Sequence, residues 1–331
     1  MTDPSVTTGD DIASPSSEPL TPPLEALYWT QYGTWYPIFR KHAPKSTVID
    51  IETVQPQLLE WLNSDTFVLP DGSGPSASFS SDDASSEFSD EDCGEAEEEK
   101  SEEEEEEVVK LEALDTAIRA VIAKYDGAAV FPKLNWSAPL DAGFMLPGNN
   151  LQCLHPEDVY LLLKSSEFVG RDLEQIAHLA SSTPNPTPDQ PLRMRPQLVL
   201  KKWFPLNKSY EFRCFVRSRQ LLAITQRDVT FYEHLQSPHL QSRIKCAVWD
   251  FWEETFAEEQ KWGLADYVLD VYLTKDLGRV WLVDVNAWLP RTDPLLFGFE
   301  ELDALHVREK SQRWDSDDKG EMRVDEVEDR V

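Results

Sequence analysis

The chain has 331 residues, with 31 lysines and arginines against 61 aspartates and glutamates and a formal charge of −30. That length holds one large or two modest domains, and 40% apolar with 11% aromatic residues exclude a wholly disordered chain. The charge argues against nucleic acid as the main partner, because phosphate binding needs a basic face, and leaves basic proteins or an anion held through a metal ion. The chain has no run of about 18 apolar residues with which to span a bilayer. The N-terminus, with Asp3, Asp10 and Asp11, lacks the basic flank and apolar stretch of a signal peptide. Cys93, Cys153, Cys214 and Cys246 lie too far apart for a zinc site and read as reduced thiols. A soluble, intracellular, monomeric protein is expected.

In chain order, residues 1–23 carry five prolines and predict an unstructured start. Leu24–Arg40 is aromatic-rich, and 52–63 has helical spacing at Leu58, Leu59 and Leu62. Residues 71–107 then hold 17 acids and one lysine, more than half of the net charge. Ser, Gly and acid offer almost nothing to bury, so a disordered insertion is expected there. Ser86, Ser89 and Ser101, each followed by an acid, are phosphorylation candidates, although a solvated spacer is the better reading of the segment.

After the insertion, Leu111, Leu114, Ile118, Val121, Ile122 and Tyr125 form one stripe of a helix over 108–125. Ala128–Lys133 reads as a strand, and His155-Pro156-Glu157-Asp158 opens a helix with proline in its first turn. Residues 181–196 predict a proline-rich loop. Strands follow at 197–203, 210–217, 220–227, 266–273 and 279–286, interrupted by a helix near 249–261, and the tail from about 307 reads as unstructured. The class is α+β, with mostly antiparallel sheets in two lobes. The N-terminal lobe comprises 24–70 and 108–196, and the C-terminal lobe 197–306.

The sharpest chemistry lies in the hairpin around Asp276-Leu277-Gly278. A three-residue loop with Gly last and left-handed pairs Lys275 with Arg279 and sets Asp270 directly opposite Asp284. Asn286 shares the face of Asp284. Opposed like charges destabilise a sheet, and a divalent cation removes the conflict. Two carboxylates and an amide carbonyl make a hard-oxygen Mg²⁺ site of the kind that phosphates and waters complete. The plainer alternative sends one aspartate to solvent and the other to a turn.

Cations accompany the acids. Lys133, Lys201 with Lys202, and Arg227 end strands, while Arg213 sits in mid-strand with Glu211 and Phe215 on its face. Charges in strands this apolar point to a cleft, although each lysine alone reads as a solvated strand end. Lys201 through Leu206 has the character of a linker between lobes. Its backbone suits the edge of a purine, with Trp203, Phe204 and Leu206 packing on the ring or serving as plain core.

Phe131-Pro132-Lys133-Leu134-Asn135-Trp136-Ser137-Ala138-Pro139 with Asp141-Ala142 resembles the signature of the cell division cycle protein 123 family. So do Leu198–Trp203, Glu211–Val216, Gln226-Arg227-Asp228, Asp284-Val285-Asn286 and Thr292–Phe297. The resemblance implies a two-lobed ATP-grasp-like fold holding ATP and Mg²⁺. It further implies a cytoplasmic assembly chaperone that binds the gamma subunit of eukaryotic translation initiation factor 2 so that alpha and beta can join. By the same resemblance Lys133 and Arg213 contact phosphate, and Lys201–Leu206 forms the adenine-side hinge. Asp141, Ala142, Glu211 and Arg227 join the nucleotide site, and Asp270, Asp284 and Asn286 hold the metal. Three positions depart from the family pattern: Ala287 stands where proline is usual, Phe144 where tryptophan is, and Lys201 where arginine is commoner. An ATP-grasp ligase or kinase is the main competing reading, and an acidic interaction protein with a vestigial pocket the third. Six scattered histidines, none in the phosphate motifs, favour binding over turnover.

Overall fold

The computed structural model of the chain describes residues 23–75, 109–182, 194–311 and 321–323. Most of the acidic insertion with its three candidate serines, residues 1–22 and most of the proline-rich loop lie outside the described residues. The architecture is α+β, built on two sheets. The first has three antiparallel strands in the order β1 (Ser46–Asp50), β3 (Gln197–Lys202), β2 (Val130–Lys133). Helices α3 (Ile51–Val54), α4 (Gln57–Asn63), α5 (Glu112–Lys124), α6 (Pro156–Lys164) and α7 (Glu167–Ser182) surround it. The second sheet has the order β7 (Val280–Ala287), β6 (Tyr267–Leu273), β4 (Glu211–Arg217), β5 (Gln220–Gln226), β8 (Glu321–Arg323). All its pairings are antiparallel except β5 with β8.

Each sheet owns a core. Leu111, Leu114, Ile118 and Val121 of the α5 stripe bury against Leu198, Leu200 and Leu163. The other large core unites Phe212, Cys214 and Val216 of β4 with Leu269, Val271 and Leu282, covered by Ile244 and Val248 of α8 (Pro238–Trp252). The opposite face of β4 carries Phe215, which packs on Val268, Phe297 and Leu302, the last from α9 (Phe299–Ser311). Alternation along β4 therefore sorts its side chains as the strand period demands.

Several boundaries differ from the sequence expectation. The helix over 52–63 is two helices, broken at Gln55-Pro56, where proline has no N–H to continue the ladder. The helix near 249–261 begins instead at Pro238, whose fixed φ suits a first turn, and gives way after Trp252 to a wide turn at Glu253–Ala257. Helices α1 (Leu24–Thr30) and α2 (Tyr32–Phe39) precede the first sheet in the chain. Yet Tyr32, Trp35 and Phe39 are buried in the core of the second. Likewise β3, assigned by sequence to the C-terminal lobe, is the central strand of the first sheet, so the crossover follows Lys202. Residues 71–75 are ordered at the edge of the expected acidic insertion. Asp71 pairs with Lys110, and Arg119 donates to the carbonyls of Gly72 and Gly74. The tail is not wholly irregular either, since α9 runs to Ser311 and β8 joins β5.

Candidate functional site

Between the sheets lies a cavity of about 390 Å³, lined among others by Phe131, Lys133, Leu140, Lys201–Leu206, Glu211, Arg227, Asp270, Val283 and Asp284. Ten of the fourteen residues singled out from the sequence meet on its wall. Of the rest, Arg213 and Asn286 stand behind the wall against Asp270. Asp141 and Ala142 do neither. The carboxylate of Asp141 accepts from the Ser166 hydroxyl and from the backbone N–H groups of Glu167 and Phe168, capping α7, while Ala142 is fully buried in the first core.

Asp270 opposes Asp284 in the strand register, but two departures from the expected hairpin combine to produce that result. Thr274 rather than Lys275 pairs with Arg279, the turn is one residue longer, and the left-handed residue is Leu277 (φ 58°), not Gly278. A bulge between Asp270 and Val271, where Leu282 faces Val271 and Val283 is the extra residue, restores the register. The bulge also has a use, since Lys201 Nζ donates to the Val283 carbonyl at 2.9 Å.

The two carboxylates do not face each other unpartnered. Asp270, 4% exposed, receives Arg213 as a fork, Nε to Oδ1 at 2.8 Å and Nη2 to Oδ2 at 2.9 Å. Arg227 Nε lies 3.3 Å from Oδ2, and the Asn286 amide donates to the same oxygen at 3.1 Å. Burial alone would push the Asp270 carboxyl up, but Arg213 and Arg227 outweigh it and hold it well below the usual carboxylate range. The third arm of the Arg213 fork donates to the Asp293 carbonyl at 2.7 Å, so its guanidinium is turned to Asp270 and the 293 loop rather than into the cavity. Asp284 takes the Lys133 ammonium, which also donates to the Trp136 carbonyl.

The lysines come from the first sheet. Lys133 is 2% exposed and Lys201 7%. Lys201 lies over the rings of Tyr32 at 5.4 Å and Phe131 at 5.7 Å. Burial, aided by Lys133, pulls the Lys201 ammonium down to about 8 against the opposing pull of Asp284 and Glu211. Burial likewise raises Glu211, with Arg227 opposing. Four cations, Lys133, Lys201, Lys202 and Arg227, thus line the cavity with three carboxylates in a strongly acidic chain, a balance that suits a polyanion. Trp203, Phe204, Pro205 and Leu206 add apolar lining to the same cavity, with the Trp203 backbone N–H already donated to the Ala129 carbonyl.

By residue type the donor set suits Mg²⁺, although each carboxylate oxygen already has a protein partner. Asp270 and Asp284 present hard oxygens from adjacent strands to a wall of the cavity, and Asn286 supplies an amide beside them. Among the described residues no group of three or more His, Cys, Asp or Glu is placed to hold a metal ion. Two carboxylates and an amide leave coordination positions for phosphate oxygens and waters.

Sequence reasoning missed Tyr32, Val283, Leu140 and Asp172. Tyr32 was legible only as part of an aromatic run. Val283 contributes a carbonyl through a bulge that no residue type announces. Asp172 is a buried carboxylate accepting from the N–H groups of Trp136 and Ser137 and from the Ser137 hydroxyl, which fixes the turn after Lys133.

This is a two-sheet α+β protein with a cationic cleft backed by paired aspartates. The sequence pattern of the D123 family matches residues 35–331, and the chain belongs to that family. It is 38% identical over 284 residues to Cell division cycle protein 123 of Phaeosphaeria nodorum, covering 83% of this chain and 68% of that one. It is 38% identical over 278 residues to the translation initiation factor eIF2 assembly protein of Aspergillus oryzae, covering 82% and 61%. The chain thus spans roughly two thirds of the length of these relatives. The structure of Cdc123 from Schizosaccharomyces pombe superposes with a TM-score of 0.67 at 30% identity, covering 92% of this chain and 98% of the other. The resemblance read from the motifs is borne out at the level of the family.

Proposed function

We propose that this chain is an ATP–Mg²⁺-binding, cytoplasmic, monomeric assembly factor for eukaryotic translation initiation factor 2, engaging the gamma subunit so that alpha and beta can join. The observation that carries the nucleotide reading is one cavity lined both by cations and opposed aspartates and by the apolar 203–206 segment. The assembly role is supported by relatives that bear the name translation initiation factor eIF2 assembly protein.

In this reading the cleft is used in an ATP-grasp-like way. Lys133 and Lys201 neutralise phosphate oxygens from the first sheet. Arg227 does so from the second, while Arg213 keeps Asp270 ionised and oriented. Asp270, Asp284 and Asn286 hold the metal, and Trp203, Phe204 and Leu206 pack on the purine. When bound, ATP–Mg²⁺ would add ligand-mediated contacts to the direct ties and hold the two sheets in a joined arrangement. A partner preferring the joined arrangement is then coupled to nucleotide occupancy, and by linkage it strengthens nucleotide binding equally.

Depletion followed by co-precipitation of the three subunits tests the function. The fraction of gamma found with alpha and beta should fall, recover with the wild-type chain, and recover poorly with a folded Asp284→Asn variant. Unchanged association together with loss of a phosphorylated or ligated product would replace this reading with a ligase or kinase.

A further inference from the structure

Resting on that nucleotide reading, the pairing of Lys133 with Asp284 has a consequence for how the site loads. Lys133 comes from β2 of the first sheet and Asp284 from β7 of the second, so their contact ties the two sheets across the cleft. Lys201 makes a second tie beside it, to the carbonyl of Val283. Each carboxylate of the metal pair is therefore already neutralised by protein: Asp284 by Lys133, and Asp270 by Arg213 and Arg227. Asp284 has no idle oxygen, because Oδ1 accepts the Val285 N–H at 3.0 Å while Oδ2 holds Lys133. A bare divalent cation approaching this pair meets three flanking cations and ligands already in use. A bare polyphosphate meets a lysine held by a resident anion.

We propose that Lys133–Asp284 is an exchange latch: the resident carboxylate stands in for phosphate on Lys133, and its release makes cation and polyphosphate binding mutually dependent. Phosphate oxygens that take over Lys133 free Asp284 to serve as a metal ligand. A cation that takes Asp284 frees Lys133 for phosphate. The two ligands then bind with positive coupling, and the transfer exchanges the direct tie between the sheets for one that runs through the ligand. The Lys133 side chain is thus a positioning group for the metal site, acting through Asp284.

The latch makes an unusual prediction, that removing a phosphate-binding lysine improves metal binding. Mn²⁺ alone, followed by electron paramagnetic resonance on the full chain, should bind Lys133→Met at least about tenfold more tightly than wild type, within the usual span of coupling factors of about 5- to 150-fold. The same variant should bind Mn²⁺ with adenylyl imidodiphosphate more weakly. Adding Asp284→Asn to Lys133→Met should erase the gain. If Lys133→Met fails to fold, Lys133→Gln removes the charge while retaining a donor for the Trp136 carbonyl, and the same gain is expected. Unchanged Mn²⁺ affinity in the folded lysine variant, with Asp284→Asn alone still abolishing binding of Mn²⁺ with the analogue, would overturn the latch and leave the site intact. Unchanged binding of Mn²⁺ with the analogue in Asp284→Asn would overturn the site reading and the latch with it.

Discussion

Lys201 carries a pH dependence whose sign and size follow from where it sits. Its ammonium is buried among Tyr32, Phe131 and the Val283 carbonyl, and burial is the main reason its proton is lost at about 8 instead of 10.5. A displacement of that size corresponds to about 3 kcal/mol between the two protonation states. Below pH 8 both folded and unfolded chains hold the proton, and the folded state bears the full cost of burying the charge. Between 8 and 10.5 the unfolded chain keeps the proton while the folded chain releases it, so the contribution to stability rises with pH by about 1.4 kcal/mol per unit. Above 10.5 both are neutral and the contribution levels off. Urea unfolding of wild type and Lys201→Met across pH 7 to 10.5 isolates this residue from other titrating groups. The wild-type stability relative to the variant should climb by about 3 kcal/mol over that window. Affinity for ATP–Mg²⁺ should run the other way, falling by up to about tenfold per pH unit above 8 as the ligand-free cleft loses a cation, and Lys201→Arg should flatten that fall. A stability difference that stays flat to within about 0.5 kcal/mol would refute the placement of this lysine as a buried, desolvated cation.

The remaining predictions concern the carboxylates and the chain edges. Arg213→Met removes the fork on an Asp270 that is almost inaccessible to water, and should cost about 3–5 kcal/mol in urea unfolding; a loss under about 1 kcal/mol would mean that Arg227 and Asn286 suffice to compensate Asp270. The opposed-charge picture drawn from sequence implies that Asp284→Ala relieves repulsion with little loss of fold. With Lys133 buried against it, the same change instead strands an ammonium, and about 3 kcal/mol of stability should go with the metal-dependent ATP binding; calorimetry and thermal melts read both effects. Deleting 77–107 should leave the melting temperature nearly unchanged. Deleting 71–107 should lower it, because Asp71, Gly72 and Gly74 are held by Lys110 and Arg119; equal melting temperatures for the two deletions would deny those contacts any weight.

Some of this was written in the residue order alone. Period-3.6 spacing gave the buried stripe of α5, and alternation correctly divided β4 between Arg213 and Phe215 on one side and Phe212, Cys214 and Val216 on the other. Both are local periodicities that any partner surface must respect. Local patterns also marked the cations and acids of the cleft as misplaced in apolar strands. What they could not specify was pairing between distant segments. Asp141 belonged to a promising motif and caps a helix, while Val283 belonged to none and holds a lysine. The opposition of Asp270 and Asp284 followed from a turn that does not form as expected and a bulge that compensates for it. Lys133 and Asp284 are 151 residues apart. Their meeting depends on how two sheets pack, and only there does a repelling pair of aspartates become two separately neutralised ones. Charge type is a property of the residue, but its energetic meaning is set by burial and by neighbours that chain folding alone brings within reach.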